Sequence, residues 1–80
     1  MMLPVISGKK LVAFLEHTGF SIIRQRGSHV RMKSDDGRLT TIPIHPGEDL
    51  PKGLLRKIIR EDLEMTLDDF TDAFKKYQGK

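Results

Sequence analysis

The sequence predicts an α+β fold in which helices cover one face of a three-stranded antiparallel sheet, in the order α-β-β-β-α-α. Apolar residues recur at helical spacing near both ends of the chain. Between them lie three short segments rich in β-forming residues, separated by turns that contain glycine and aspartate. Because the chain has 80 residues, no repeats and no long linker, we expect one domain over residues 1–80.

The first helix is predicted over residues 7–18. Ser7 is a residue type that favours the N-terminal cap, and Leu11 and Phe14 follow at the spacing of one helical face. Gly19 then occupies the position where a left-handed residue commonly ends a helix.

Three strands are predicted after this helix. The run Phe20–Arg26 is rich in β-forming residues and ends at Gly27, which indicates strand 1. Residues 28–33 and 39–44 are predicted to form strands 2 and 3, because the segment between them has the composition of a turn.

The turn between strands 2 and 3 decides which side chains share a face of the sheet. A two-residue turn at Asp36-Gly37 is a common hairpin signal, but it would mix charged and apolar side chains on one face. A three-residue loop over 35–37, with Gly37 in a left-handed bulge position, brings the apolar side chains together instead. This loop pairs Val30 with Ile42, Ser28 with Ile44 and Arg31 with Thr41. We therefore predict the longer loop.

Helices can cover only one face of three antiparallel strands, so the opposite face is expected to be open to solvent. The predicted register places on this open face the strand 2 residues His29, Arg31 and Lys33. Arg24 and Arg26 share one parity on strand 1, and they join the open face if Ile23 points inward. An α-β-β-β-α layout with basic groups around the sheet also occurs in double-stranded RNA-binding domains.

Two further helices are predicted in the C-terminal half. Pro51 suits a first helical turn, and Gly53 in that turn costs roughly 1 kcal/mol relative to alanine, which indicates that something approaches it closely. Thr66 and Asp69 resemble a capping box at the start of helix 3. The apolar stripes are Leu54, Leu55, Ile58 and Ile59 in helix 2, and Leu67, Phe70, Phe74 and Tyr77 in helix 3.

The composition excludes several classes of protein. The chain has no cysteine, so disulfides, cysteine-based zinc sites and thiol catalysis are excluded. The apolar fraction of 38% and the charged fraction of 31% favour a folded globule over disorder. No run approaches the roughly 18 apolar residues of a membrane span, and the N-terminus lacks a signal-peptide pattern. We therefore expect a cytoplasmic protein with no membrane partner.

Positive charge is concentrated in the first part of the chain, although the formal net charge is only +3. Residues 1–34 contain six lysines and arginines against one glutamate, whereas residues 35–80 contain eight basic and ten acidic side chains. This polarisation favours a polyanionic partner.

Three histidines are the obvious groups for proton transfer near neutral pH. His17 lies in the last turn of helix 1, where a cation interacts favourably with the helix dipole, so a structural role is the simpler interpretation. His45 precedes a proline after strand 3, which favours a role in a turn. His29 follows Gly27-Ser28 among several arginines, and its position alone leaves both a surface role and a functional role open.

The sequence contains no metal-binding pattern, because the histidines are widely spaced and no carboxylates stand beside them at ligand spacing. The aspartates of helix 3 are explained by the dipole at its N-terminus. Any hydrolysis is therefore expected to proceed without a metal, and RNA is the favoured substrate because its 2′-hydroxyl is an internal nucleophile. One histidine can deprotonate that hydroxyl, typically contributing about 10²–10⁴-fold, while arginines stabilise the developing phosphorane.

Six short motifs follow one another along the chain in a characteristic order. They are Gly19-Phe20, Arg24-x-x-Gly27-Ser28-His29, Asp36-Gly37-Arg38, Ile42-Pro43-Ile44-His45, the run 50–59 and Leu67-Asp68-Asp69-Phe70. Together these motifs resemble the HicA mRNA interferase toxins, from about Leu3 to Phe70. The chain departs from the family at Asp62-Leu63, where members often carry Ala-Gly. Residues 71–80 extend past the usual end of the family. Three interpretations of this extension stay open: it packs on the core, it contacts the antitoxin, or it lengthens helix 3.

The resemblance implies a fold like a double-stranded RNA-binding domain and the toxin of a type II toxin–antitoxin system. Such a toxin cleaves mRNA without a metal or other cofactor and is silenced by a HicB antitoxin. The resemblance identifies His29 as the catalytic histidine, with Gly27 and Ser28 positioning its strand. The RNA-binding residues expected around it are Arg24, Arg26, Ser28, Arg31 and Lys33. His45 is a hypothetical second proton carrier.

Two alternatives use the same surface differently. A non-catalytic RNA-binding module predicts salt-dependent RNA binding that His29→Ala barely changes, and no cleavage. A protein-interaction adaptor, whose partner docks on the sheet face, predicts no RNA affinity at physiological salt.

Overall fold

A computed structural model describes residues 3–79 of the chain and confirms the predicted fold class. The elements are α1 (Gly8–His17), β1 (Phe20–Arg26), β2 (His29–Ser34), β3 (Leu39–Pro43), α2 (Lys52–Lys57), a π-helical segment (Ile58–Asp62) and α3 (Leu67–Gln78). The strands form one antiparallel sheet in the order β1-β2-β3. This is the α-β-β-β-α layout of a double-stranded RNA-binding domain, with an additional C-terminal helix.

Helix α1 begins and ends where the sequence predicts. The Ser7 hydroxyl accepts a hydrogen bond from the Lys10 N–H at 3.2 Å, and Gly19 follows the helix with a φ of +109°. Gly8 is buried, and a Cβ placed on it would lie 2.0 Å from the Pro43 carbonyl oxygen. The absence of a side chain at Gly8 therefore allows α1 to start in direct contact with the end of β3.

The β2–β3 hairpin has the predicted register. Val30 pairs with Ile42 and Arg31 pairs with Thr41, which confirms the three-residue loop and excludes the two-residue turn. Gly37 has a φ of +92°, as its bulge position requires. The register follows from hydrophobic alternation, because a slip of one residue would turn every apolar side chain of one strand outward.

The strand ends differ slightly from the prediction. Strand β2 runs from His29 to Ser34 rather than over 28–33, and β3 ends at Pro43 rather than at residue 44. The predicted Ser28–Ile44 pair lies just beyond the ladder, where the Ile44 N–H still donates to the Ser28 carbonyl at 2.6 Å. The end of the sheet is therefore tied together by a backbone hydrogen bond.

Arg38 connects the β2–β3 hairpin to the helices. Its Nη1 donates to the Leu63 carbonyl at 2.7 Å, and its guanidinium lies 5.3 Å from the centre of the Phe20 ring. Thr40 adds a second connection by donating to Asp62 Oδ2 at 2.8 Å. Arg38, which belongs to the motif pattern, and the Asp62-Leu63 segment, which departs from it, therefore both have structural roles.

Asp36 stabilises the same hairpin loop. Its carboxylate accepts hydrogen bonds from the Ser34 hydroxyl and from Arg38 Nε, and these two donors lower the pKa of Asp36 to about 2. Because the pKa of Asp36 is lower in the folded protein, the two hydrogen bonds to its carboxylate stabilise the fold above about pH 4. This stabilisation is lost as the pH falls through about 2.

The apolar stripe predicted a regular α-helix after Pro51. The helix instead widens after Lys57 into the π-helical segment Ile58–Asp62. Ile58 and Ile59 remain buried in the core, and the Leu63 N–H bonds back to the Ile58 carbonyl at 2.9 Å. Glu64 then takes a φ of +55°, which reverses the chain toward α3.

Helix α3 completes the core by packing on α1. The Phe14 ring meets the rings of Phe70, Phe74 and Tyr77 edge-on, with centroids 5.5, 5.3 and 5.2 Å away. Thr66 caps the helix by accepting from the N–H three residues later, as predicted. The described part of the extension after residue 70 is therefore a continuation of helix α3, packed against the core.

Candidate functional site

The two faces of the sheet differ in the way that the alternation predicts. Val30 and Met32 of β2 are 1% and 0% exposed and face the helices. His29 and Lys33 are exposed on the opposite face, and Arg31 between them is partly buried. The open face of the sheet therefore carries the basic residues of β2.

Strand β1 joins this face through a β-bulge. Ile22 pairs with Met32, but Arg24 pairs with Arg31, so Ile23 is an extra residue without a partner in the ladder. The prediction for Arg24 and Arg26 depended on Ile23 pointing inward. Ile23 is 54% exposed, so this condition is not met. The extra residue changes the parity of the strand instead, so that Arg24 and Arg26 share the face of Arg31 and His29.

The register places two pairs of predicted site residues directly opposite each other. Arg24 lies opposite Arg31, and Arg26 lies opposite His29. Side chains at directly opposed positions project from the same face with Cβ atoms about 4.5–5.5 Å apart. Residues that are separated in the sequence therefore form one cluster.

This cluster lines a shallow hollow of about 100 Å³ in the open face. Its lining residues are Arg24, Arg26, His29, Arg31 and Thr41, none of which is acidic. Arg31 Nη1 donates to Thr41 Oγ1 at 3.0 Å, which orients the guanidinium. Thr41 was not predicted as a site residue, although the predicted register already placed it opposite Arg31.

The charges in the hollow are not neutralised by the protein. Within residues 3–79, the single ion pair joins Arg38 to Asp36, and no carboxylate pairs with Arg24, Arg26 or Arg31. Like charges at directly opposed strand positions destabilise a sheet, so the Arg24–Arg31 pair is unfavourable in the free protein. The arrangement is suited to bind an anion, which would neutralise these charges.

The turn before His29 fixes where its strand begins. Gly27 has a φ of +53°, and only Gly27 and Ser28 separate the paired residues Arg26 and His29. Glycine at the first central position is typical of a type II′ hairpin turn. The Ser28 carbonyl accepts from the Ile44 N–H, which ties this turn to the end of β3.

Three predicted site residues do not line the hollow: Ser28, Lys33 and His45. Lys33 is exposed farther along the open face. His45 is exposed in the turn after β3, where its carbonyl accepts from the Glu48 N–H at 3.0 Å. His17 lies in the last turn of α1 with its ring 5.1 Å from that of Tyr77, in agreement with a structural role.

The described chain does not assemble a set of metal ligands: among residues 3–79, no three side chains of histidine, aspartate or glutamate come together in a group that could hold an ion. The helices in this range are also too short or too polar to cross a membrane.

Comparison with known families identifies a relationship. A family model described as the HicA toxin of bacterial toxin–antitoxin systems matches residues 8–63, which is more than half of the chain. The matched range runs from the start of α1 to the end of the π-helical segment and contains every residue that lines the hollow. No curated protein matches the chain.

Proposed function

The chain belongs to the HicA toxin family of bacterial toxin–antitoxin systems, and from this membership we propose that it is the toxin of a type II system that cleaves mRNA as a metal-independent endoribonuclease. Its proposed partner is a HicB-like antitoxin. The observation that supports the activity is the hollow, where one imidazole and three guanidinium groups meet without a carboxylate among the lining residues.

In the proposed reaction, His29 acts as the general base. Its imidazole takes the proton of a ribose 2′-hydroxyl, and the 2′-oxygen attacks the adjacent phosphorus. A bond forms between the 2′-oxygen and phosphorus while the bond to the 5′-oxygen breaks. The products are a 2′,3′-cyclic phosphate and a 5′-hydroxyl end, so no external nucleophile is needed.

The arginines stabilise the negative charge that develops on the phosphorane. Arg31 is oriented by Thr41, while Arg24 and Arg26 complete the positive lining of the hollow. Donors that are fixed before the reaction stabilise a transition state better than donors that must reorganise. Ser28 and Lys33 are proposed to hold the RNA at the turn and farther along the open face.

A non-catalytic RNA-binding module is the second candidate, and one observation favours it. The His29 imidazole has no hydrogen-bond partner among residues 3–79, whereas a general base is commonly oriented by a third group. In the proposed enzyme, the bound RNA itself must orient this ring.

The first test uses the wild-type protein and a single-stranded transcript in EDTA. We expect cleavage that leaves 2′,3′-cyclic phosphate ends, and no cleavage when the nucleotide before the cleaved bond is replaced by its 2′-deoxy form. Both products are identified by mass spectrometry. Cleavage of the 2′-deoxy substrate would contradict the role of the 2′-hydroxyl, and RNA binding without cleavage would favour the binding module.

Replacing Arg24 by glutamine is expected to stabilise the fold and weaken the activity. Removing the like charge opposite Arg31 should raise the free energy of unfolding by roughly 0.2–1 kcal/mol, and less at high salt. Loss of a charged hydrogen bond to phosphate should slow cleavage by about 10- to 100-fold. Urea denaturation and cleavage rates measure the two effects, and Lys75→Gln on α3 is the matched control. A variant that is less stable, or fully active, contradicts this role.

His45 is proposed as the acid that protonates the departing 5′-oxygen. His45→Ala should then slow cleavage of ordinary RNA by about 10²-fold. A substrate with sulfur in place of the departing 5′-oxygen needs little protonation, so its cleavage rate should be almost unaffected by the substitution. Equal losses with the two substrates would contradict a role as the acid.

A further inference from the structure

The outward face of α2 carries three cations around a glycine. Lys52, Gly53, Arg56 and Lys57 are all exposed, whereas Leu55 on the other side of the helix is buried in the core. Residues four apart in a helix lie one above the other, so these four positions form a single patch. We call this set the α2 patch.

Nothing within the described chain explains the glycine. A Cβ placed on Gly53 meets no atom within 4 Å, whereas one placed on Gly8 would collide with the backbone of Pro43. Gly53 does not have a positive φ either. Glycine is unfavourable inside a helix relative to alanine, so its presence indicates that room is needed outside the helix.

The charges of the α2 patch are unpaired within residues 3–79. None of Lys52, Arg56 and Lys57 takes part in an ion pair, including with Glu61, the acid four residues after Lys57. Lys52 and Arg56 are like charges four residues apart, an arrangement that destabilises a helix. The patch therefore resembles the hollow in presenting cations that the protein does not neutralise.

The segments that carry the α2 patch and the hollow are linked by backbone contacts at one end of the molecule. His29 pairs with Pro43, and the carbonyl of Pro43 contacts Gly8 at the start of α1. Ser7, just before α1, forms a β-bridge with Asp49, and α2 begins three residues later. These backbone contacts place the start of α2 at the same end of the molecule as His29.

We propose that the α2 patch binds the phosphodiester backbone of the RNA beyond the cleaved position. Its three cations contact phosphates, and Gly53 lets the RNA backbone approach the helix closely. This inference rests on the proposed function and extends it with a second RNA-binding surface. RNA fits the patch better than an acidic protein does, because α2 starts at the end of the molecule that holds His29 and because the open space at Gly53 leaves room for a bare backbone.

The first experiment compares two double variants with wild type. Arg56→Gln/Lys57→Gln removes two charges from the last turn of α2, and Lys75→Gln/Lys76→Gln removes two charges from the last turn of α3 as the matched control. The ligands are fully 2′-O-methylated RNAs of about 4 and about 20 nucleotides, which test binding independently of cleavage.

With the long RNA, the α2 variant should bind about tenfold more weakly, and the slope of log K against log salt should fall in magnitude by about 1.4. The short RNA and the α3 control should show no change. Unchanged affinity of the α2 variant for the long RNA overturns the proposal. If wild type cleaves RNA normally, that result leaves the proposed activity intact and rejects only the role of the α2 patch. Weaker binding of the antitoxin alone likewise overturns it and assigns the patch to that protein.

A second variant, Gly53→Gln, distinguishes an effect on the approach of RNA to α2 from an effect on folding. Glutamine is a better helix former than glycine, so the melting temperature should rise by about 2–6 °C. Its side chain should obstruct the RNA backbone and lower the affinity for the long RNA about tenfold. A higher melting temperature with unchanged RNA affinity overturns the role assigned to Gly53.

Discussion

Replacing His29 by alanine is expected to slow RNA cleavage by about 10²–10⁴-fold, the contribution that a general base typically makes. The fold should survive the change, because the side chain is exposed and has no hydrogen-bond partner among residues 3–79. Surface substitutions of this kind usually change stability by no more than about 0.5 kcal/mol. Cleavage rates at saturating protein, together with thermal unfolding, measure both quantities.

Binding must be measured alongside this rate. The arginines of the hollow remain in His29→Ala, so its affinity for RNA should stay close to that of wild type. His17→Ala removes a histidine outside the hollow and should cleave RNA normally. Equal cleavage by wild type and His29→Ala would contradict His29 as the base. Equal binding with no cleavage by either protein would identify a binding module.

The open face could be predicted from the sequence because two local signals agree. Alternation in β2 separates Val30 from His29 and Arg31, and Gly37 accommodates the loop that preserves this alternation in β3. The facing of β1 could not be predicted with the same certainty. Both Ile22 and Ile23 are apolar, so the bulge leaves no pattern along the strand and is defined only by its partner strand.

The π-helical segment was also beyond sequence reasoning. Buried residues at 58 and 59 fit the apolar stripe of an α-helix equally well, so the stripe does not distinguish the two hydrogen-bonding patterns. The structural role of Arg38 could not be predicted for a related reason. It donates to the carbonyl of Leu63, 25 residues away, and a backbone acceptor has no signature in side-chain identity. Thr41 was missed because its role depends on its pairing with Arg31.

Helix α3 lies beyond the range that matches the family, which ends at residue 63, yet it completes the core. Phe74 is 2% exposed, and its ring stands edge-on to Phe14 at 5.3 Å and stacks with Phe70 at 6.0 Å. Phe74→Ala is therefore expected to lower the free energy of unfolding by about 3–5 kcal/mol. Since domains are typically stable by only about 5–15 kcal/mol, this variant should be marginally folded.

Urea denaturation of Phe74→Ala and of Gln78→Ala, an exposed residue of the same helix, measures the difference between core and surface. The control should change by no more than about 0.5 kcal/mol. A loss below about 1 kcal/mol for Phe74→Ala would contradict the packing of α3 on α1. The hollow lies on the opposite face of the sheet from this cluster, so the molecules of Phe74→Ala that remain folded should cleave RNA at the wild-type rate. The loss of activity should then follow the unfolded fraction as temperature rises, which distinguishes a core residue from a residue of the site.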